Sequence, residues 1–176
     1  MKTSGNLFLV GPMGAGKTTI GRVLAKLLKK QFIDLDSEIE SRCGADIPWI
    51  FDVEGESGFR DRESAVLAEL CTRSGVVLAT GGGAVLRPEN RKLLKQNGYV
   101  IYLAVSAQEL YERTRTDSSR PLLQVANRRE VIERLVRERE PLYRELADLT
   151  YTGNRRGPKH AAEEILRQMD GTQGIR

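Results

Sequence analysis

A chain of 176 residues, 40% hydrophobic and 30% charged, has the size and composition of one ordinary globular domain with a real core. It contains no apolar run near the ~20 residues needed to cross a bilayer. The net charge of +4 comes mostly from scattered arginines that are not interleaved with aromatics, which sets nucleic acid aside in favour of small anionic ligands.

Met1–Gly5 lead straight into the first apolar segment, so no signal peptide is expected. Two cysteines, Cys43 and Cys71, are too few for a disulfide framework and have no metal-ligand spacing, which predicts a cytoplasmic protein with reduced thiols. The first strand, Leu7–Val10, runs into Gly11-Pro12-Met13-Gly14-Ala15-Gly16-Lys17-Thr18, a full G-x-x-x-x-G-K-T loop, and a helical pattern follows over 17–30. The glycines let backbone wrap around phosphate, and the amides then point inward at a helix N-terminus. Lys17 would reach the β- and γ-phosphates, and the Thr18 hydroxyl would meet Mg²⁺. A glycine-rich turn alone would lack this strand–loop–helix setting, so nucleoside triphosphate binding is predicted.

The second strand, Phe32–Leu35, carries Asp34-Leu35-Asp36 at its end. On a strand both carboxylates would share one face, at the sheet edge where open α/β folds bind ligands. Asp34 could hold Mg²⁺ directly or through water, and Asp36 could take the proton of an attacking hydroxyl. Asp36 would also serve as N-cap of a helix over 36–43. Residues from Asp36 to about Glu63 break the strand–helix rhythm and insert helices. Asp52-Val53-Glu54-Gly55 matches the D-x-x-G of GTPases, but no strand precedes it and no N-K-x-D follows, so the match is taken as chance.

A helix over 57–73 carries Phe59-Arg60-Asp61-Arg62-Glu63, where Arg60 and Glu63 share a face. They form either a surface ion pair or an arginine oriented for a substrate anion. Strand Val76–Ala79 ends in Thr80-Gly81-Gly82-Gly83-Ala84, which offers bare backbone to a ligand. A helix over 88–96, strand Tyr99–Leu103 and helix 106–114 follow. Arg115–Pro121 is polar and aperiodic; beside a phosphate loop it is read as a lid with Arg120 at its tip. Pro141, inside the helical pattern 127–147, predicts a break or kink near Arg139–Glu140. Strand Leu149–Tyr151 and helix 158–169 close the chain. His160, its one histidine, is read as a surface residue, which leaves no imidazole base. The alternation predicts one α/β domain, a parallel sheet with helices on both faces.

In sequence order the phosphate loop, Asp34-x-Asp36, Phe59-Arg60-x-x-Glu63, Gly81–Gly83, Arg120-Pro121-Leu122-Leu123, Arg139 in Arg-x-Pro-Leu-Tyr, and Arg156-Gly157-Pro158 resemble the shikimate kinases along nearly the whole chain. The resemblance implies a three-layer α/β/α P-loop fold with a five-stranded parallel sheet ordered 2-3-1-4-5. Residues 1–176 would form one domain, with a substrate subdomain at about 36–63 and a lid at about 115–126. It implies transfer of the ATP γ-phosphate to the 3-hydroxyl of shikimate in aromatic amino acid biosynthesis. Lys17, Asp36 and Arg120 would be catalytic. Asp36, Arg60, Gly82, Gly83 and Arg139 would bind substrate. Gly14, Ala15, Gly16, Lys17, Thr18, Thr19, Arg113, Arg120, Arg156 and Pro158 would bind ATP, and Thr18 and Asp34 would hold Mg²⁺. Partners are expected to be ATP and shikimate, with no nucleic acid or membrane, and the chain is expected as a monomer with a dimer as the alternative.

Two other readings share parts of this pattern. A gluconate-type or nucleotide kinase has the same loop but lacks the pair Arg60 and Arg139 set for one carboxylate. A nucleotide-sensing module without turnover would not need Lys17, Asp34 and Asp36 together.

Overall fold

The computed structural model describes residues 5–115, 123, 125–153 and 156–173. Five strands, β1 (Asn6–Val10), β2 (Gln31–Asp34), β3 (Val76–Ala79), β4 (Gly98–Ala104) and β5 (Leu149–Thr152), form one sheet ordered β2-β3-β1-β4-β5. Every pairing is parallel, with Leu9 opposite Ala79 on one side and Ile101 on the other. Strands covered on both faces need apolar residues at every position. This is why Asn6–Val10 and Val76–Ala79 are buried throughout.

The alternation of side chains along each strand divides the core. Phe8, Val10, Leu78, Val100 and Tyr102 face one layer, made by α2 (Leu35–Cys43), α3 (Ile47–Cys71), α4 (Pro88–Asn97) and α6 (Arg128–Leu146). Leu7, Leu9, Val77, Ile101 and Leu103 face the other, made by α1 (Lys17–Leu28) and α7 (Pro158–Gln173). Each fully buried Leu, Ile or Phe contributes about 1.5–3 kcal/mol. A smaller cluster, Leu110, Leu123, Val131 and Ile132, joins α5 (Ala107–Thr114) to α6. Helix α1 lies close on the sheet because Gly21 has no side chain. A Cβ there would stand 2.6 Å from the Phe32 ring and 2.9 Å from Leu9.

Three local expectations are corrected. Helix α6 is continuous across Pro141. Pro141 and Arg137, whose carbonyl the proline leaves without its usual partner, lie on the exposed face where water can serve it, while Arg139, Tyr143 and Leu146 are buried on the inner face. Helix α2 starts at Leu35, two residues earlier than Asp36 as a cap requires. Asp34 is both the last residue of β2 and the N-cap, accepting the Ser37 N–H at 3.2 Å, so Asp36 sits in the first turn. The two carboxylates therefore do not share a strand face. Helix α3 begins at Ile47, capped by Asp46, and passes a kink at Gly55 (φ 70°), which absorbs the stretch Asp52–Gly55 into helix.

Candidate active site

All five strands run toward the same end, and the phosphate loop, Asp34 and the Thr80–Gly83 turn lie there. Gly11, Gly14 and Gly16 take φ values of 146°, 78° and 94°, which a residue with a Cβ rarely adopts. Space forbids a side chain as well. A Cβ on Gly11 would meet the Leu103 carbonyl at 2.8 Å, and one on Gly14 the Thr114 methyl at 2.7 Å. Helix α1 starts at Lys17 with no acidic residue in its first turn, so its amide end is left to favour an anion. The Lys17 ammonium folds back over the loop, donating to the carbonyls of Gly11 (2.7 Å) and Pro12 (2.8 Å).

Thr18 donates its hydroxyl to Asp34 Oδ2 at 2.5 Å. Asp34 and Asp36, though on different elements, line one cavity of about 310 Å³ with Lys17, Thr18, Gly81 and Gly82. A second cavity of about 310 Å³ opens on the other side of the loop, walled by Ile20, Leu103, Val105, Tyr151 and Pro158. Gly14, Gly16, Thr19 and Arg113 line both cavities, Ala15 the second. Arg113 is held there by Gly14, whose carbonyl accepts at 3.1 Å, and by Glu109 at 2.5 Å. Arg156 is exposed and does not line this second cavity. Arg120, and with it most of 115–126, lies outside the described residues.

Beyond the phosphate end, charged side chains are buried around Gly81–Gly83. Arg60 bonds Glu63 at 2.8 Å, with residue exposures of 8% and 0%, so the pair is internal and not a surface ion pair. Each glycine makes room for a different neighbour. A Cβ on Gly81 would meet Asp36 Oδ1 at 2.8 Å and Glu63 Oε1 at 2.9 Å. One on Gly82 would lie 3.5 Å from an Arg139 nitrogen, and one on Gly83 would fall inside the Arg60 guanidinium at 2.2–2.6 Å. Burial, reinforced by the nearby Asp36 carboxylate, pushes the Glu63 carboxyl up, against the pull of Arg60 and Arg139. Among the described residues, Arg60 Nε, Glu63 Oε1 and Arg139 Nε are buried polar atoms without a hydrogen-bond partner. Unmet polar atoms of this kind are costly unless a ligand uses the region.

Thr80 and Thr114 also line the cavity, and the sequence reading did not single them out. Thr80 bonds the Leu9 carbonyl at 3.0 Å and Thr114 the Leu110 carbonyl at 2.7 Å. Their positions, just past β3 and at the end of α5, were the available signal.

A parallel sheet with a lysine-bearing glycine loop at its carboxyl edge, and buried arginines and carboxylates across the cavity, defines a P-loop phosphotransferase. A family model for shikimate kinase matches residues 13–170. The chain is 57% identical over 164 residues to the shikimate kinase of Pseudomonas putida, covering 93% of this chain and 95% of that one. It is 56% identical over 162 residues to that of Chromohalobacter salexigens, covering 92% and 90%. The structure matches the shikimate kinase from Acinetobacter baumannii in complex with shikimate at a TM-score of 0.94 and 49% identity, covering 99% and 97%. A gluconokinase from Sinorhizobium meliloti, at 15% identity and a TM-score of 0.59, shares the fold alone. The chain belongs to the shikimate kinase family of ATP-dependent phosphotransferases in aromatic amino acid biosynthesis.

Proposed function

We propose that this chain binds shikimate and transfers the ATP γ-phosphoryl group to its 3-hydroxyl, giving shikimate 3-phosphate and ADP. One observation carries the reading. The phosphate loop and two buried arginines, Arg60 and Arg139, converge on the same Gly81–Gly83 turn, with the Asp36 carboxylate beside it. A small acceptor with one carboxylate and a ring of hydroxyls fits that spacing of charge. Shikimate in the A. baumannii relative supports the same choice.

Arg60 and Arg139 grip the substrate carboxylate through charge-assisted hydrogen bonds, and Glu63 keeps Arg60 in place. Gly82 and Gly83 amides contact the substrate too. Asp36 binds the 3-hydroxyl and takes its proton as the oxygen attacks. On the donor side Gly14, Ala15, Gly16, Thr18 and Thr19 surround the phosphates. Lys17 exchanges its two loop carbonyls for β- and γ-phosphate oxygens and offsets charge on the bridge. Arg113 and Pro158 flank the adenine, with Arg156 reaching in from its exposed position beside Gly157, and the role of meeting the transferring group falls to Arg120 of the expected lid, 115–126. The rate comes from placement and fixed charge more than from covalent chemistry.

Thr18 and Asp34 suit a magnesium ion, because both present hard oxygens at the phosphate end and this ion takes one or two protein oxygens beside phosphates and water. When bound it neutralises charge on the β- and γ-phosphates. Every assigned group comes from one chain, so the monomer suffices, with residues 36–63 as substrate subdomain of the single domain 1–176.

The test is a coupled ADP-release assay with Mg-ATP and shikimate, run beside gluconate, mixed nucleoside monophosphates and no acceptor. Turnover that requires shikimate is the expected result. Turnover with only another acceptor overturns the substrate, and ATP binding without any turnover overturns the reaction.

A further inference from the structure

Tyr143 lies one helical turn beyond Arg139 on the inner face of α6, 1% exposed, in the centre of the core layer that carries the acceptor groups. Its ring stacks on Tyr102, with centroids 5.0 Å apart and planes 22° from parallel. Its hydroxyl, however, is not in an apolar setting. It donates to the Gly82 carbonyl at 2.5 Å, and the Arg139 guanidinium lies nearby. Desolvation pushes this phenol well above its ordinary range, opposed by the nearby Arg139. The group therefore stays a neutral O–H, able to donate one bond and accept another at once.

A consequence follows from that single oxygen. A peptide unit is planar and trans, so the Gly82 carbonyl and the Gly83 N–H point to opposite sides of one plate. Bonding the carbonyl to Tyr143 fixes the plate and sends the Gly83 N–H away from α6. Glycine on both sides of the plate would otherwise leave it free to rotate. The plate so fixed also borders Arg139, whose Nε has no partner of its own among the described residues. An Arg139 nitrogen lies beside Gly82, 3.5 Å from where a Cβ would stand.

We infer that Tyr143 is a positioning residue for the acceptor substrate, one hydroxyl that sets the Gly82–Gly83 peptide which, beside the Arg139 guanidinium, forms the wall against which the carboxylate-bearing substrate docks. The inference rests on the proposed binding of shikimate at that turn. It assigns Tyr143 no contact with substrate and no proton to transfer.

Tyr143→Phe removes the oxygen and keeps the ring stacked on Tyr102. With shikimate and Mg-ATP the KM for shikimate should rise roughly 5–50-fold, as expected for a buried carbonyl left without its donor. The KM for ATP should stay within about twofold and kcat should change little, the signature of lost ground-state binding. Tyr102→Phe, equally buried but not bonded to the turn, should leave the shikimate KM near that of the unaltered protein. In a cycle with Arg139→Lys, the two losses should be clearly less than additive, because both report one arrangement. If Tyr143→Phe gives no cooperative melting transition, Tyr143→Met replaces it. An unchanged shikimate KM in a folded variant overturns the inference, and so do equal losses for ATP and shikimate or fully additive losses in the cycle. Failure of the unaltered protein to use shikimate overturns the substrate assignment instead, and that control is read first.

Discussion

Glu63 and Arg60 form an ion pair 2.8 Å long whose carboxylate is wholly shut away from solvent and whose guanidinium is nearly so. A pair this deep gains little net stability over apolar residues, yet removing one member typically costs 3–5 kcal/mol because the other charge is stranded. Its worth lies in where it holds the guanidinium, in the space a side chain on Gly83 would fill.

Glu63→Gln keeps the shape and withdraws the charge. Among the described residues Arg60 then keeps Glu56 as its ion-pair partner, at 3.2 Å and half exposed. The melting temperature should fall by about 5–12 °C for a loss of about 3 kcal/mol in a chain of this size. The shikimate KM should rise at least tenfold while the ATP KM holds. Thermal melts with parallel kinetics decide it, and a variant with wild-type melting and affinity would reduce the pair to packing.

Asp36 sits in the first turn of α2 and lines the cavity beside Lys17 and Thr18. As general base it should contribute something like 10²–10⁴ in rate. Asp36→Asn should lower kcat by that range with nearly normal melting, since the helix cap belongs to Asp34. A loss below about tenfold, small beside the usual general-base contribution, would leave Asp36 a binding group only.

Lys17→Met should abolish nearly all turnover. Its ammonium is anchored by two carbonyls of the phosphate loop, so the substitution also frees those acceptors and should weaken ATP binding, read by calorimetry. Retained kcat would exclude the charge-balancing role.

At the opposite edge of the sheet, Tyr151 donates to Glu164 Oε2 at 2.6 Å and ties β5 to α7. That bond, chiefly, holds the Glu164 carboxyl below its ordinary 4.5. A depressed carboxyl pKa adds stability that is present above the unfolded value and lost as pH falls through the folded one. The melting-temperature gap between wild type and Tyr151→Phe should therefore be full at pH 6 and close steadily below pH 4.5. A gap that stays constant down to pH 3 would contradict the linkage.

The two thiols should differ sharply. Burial pushes the Cys71 thiol up to about 11, while Cys43 is partly exposed, with its sulfur accepting from Arg62 at 3.5 Å. The thiolate is the reactive form. A thiol reagent at pH 8 should label one site quickly, Cys43 by peptide mapping, and Cys71 only on unfolding. Two equally fast sites would put Cys71 at the surface.

The sheet was legible in sequence because covered parallel strands must be apolar at every position, and Leu7–Val10 and Val76–Ala79 have few other uses. The phosphate loop was legible because its backbone geometry demands glycine at Gly11 and Gly16. What escaped were places where neighbours outvote local preference. Pro141 predicts a break, but three buried side chains on the inner face of α6 and water on the outer face keep the helix whole. Asp34 and Asp36 look alike in sequence, and only the absence of any loop between β2 and α2 decides that the first is the cap. The residues before Gly55 carry no clean helical period, since Trp49 and Val53 are exposed while Ile50 is buried. That Arg60, Asp36 and Arg139 meet around three consecutive glycines is a matter of long-range packing, and no local pattern encodes it.

The Gly81–Gly83 turn is moulded at its two ends, where charged neighbours stand in the place of the missing side chains. A methyl group added at the first position would strike Asp36 and Glu63, and one at the third would strike Arg60, so even alanine cannot enter there unless a partner moves. Drift toward a new acceptor has no stepwise route through this turn. Altered specificity, in nature or in the laboratory, must begin with the arginines and carboxylates around it and leave the two outer glycines untouched.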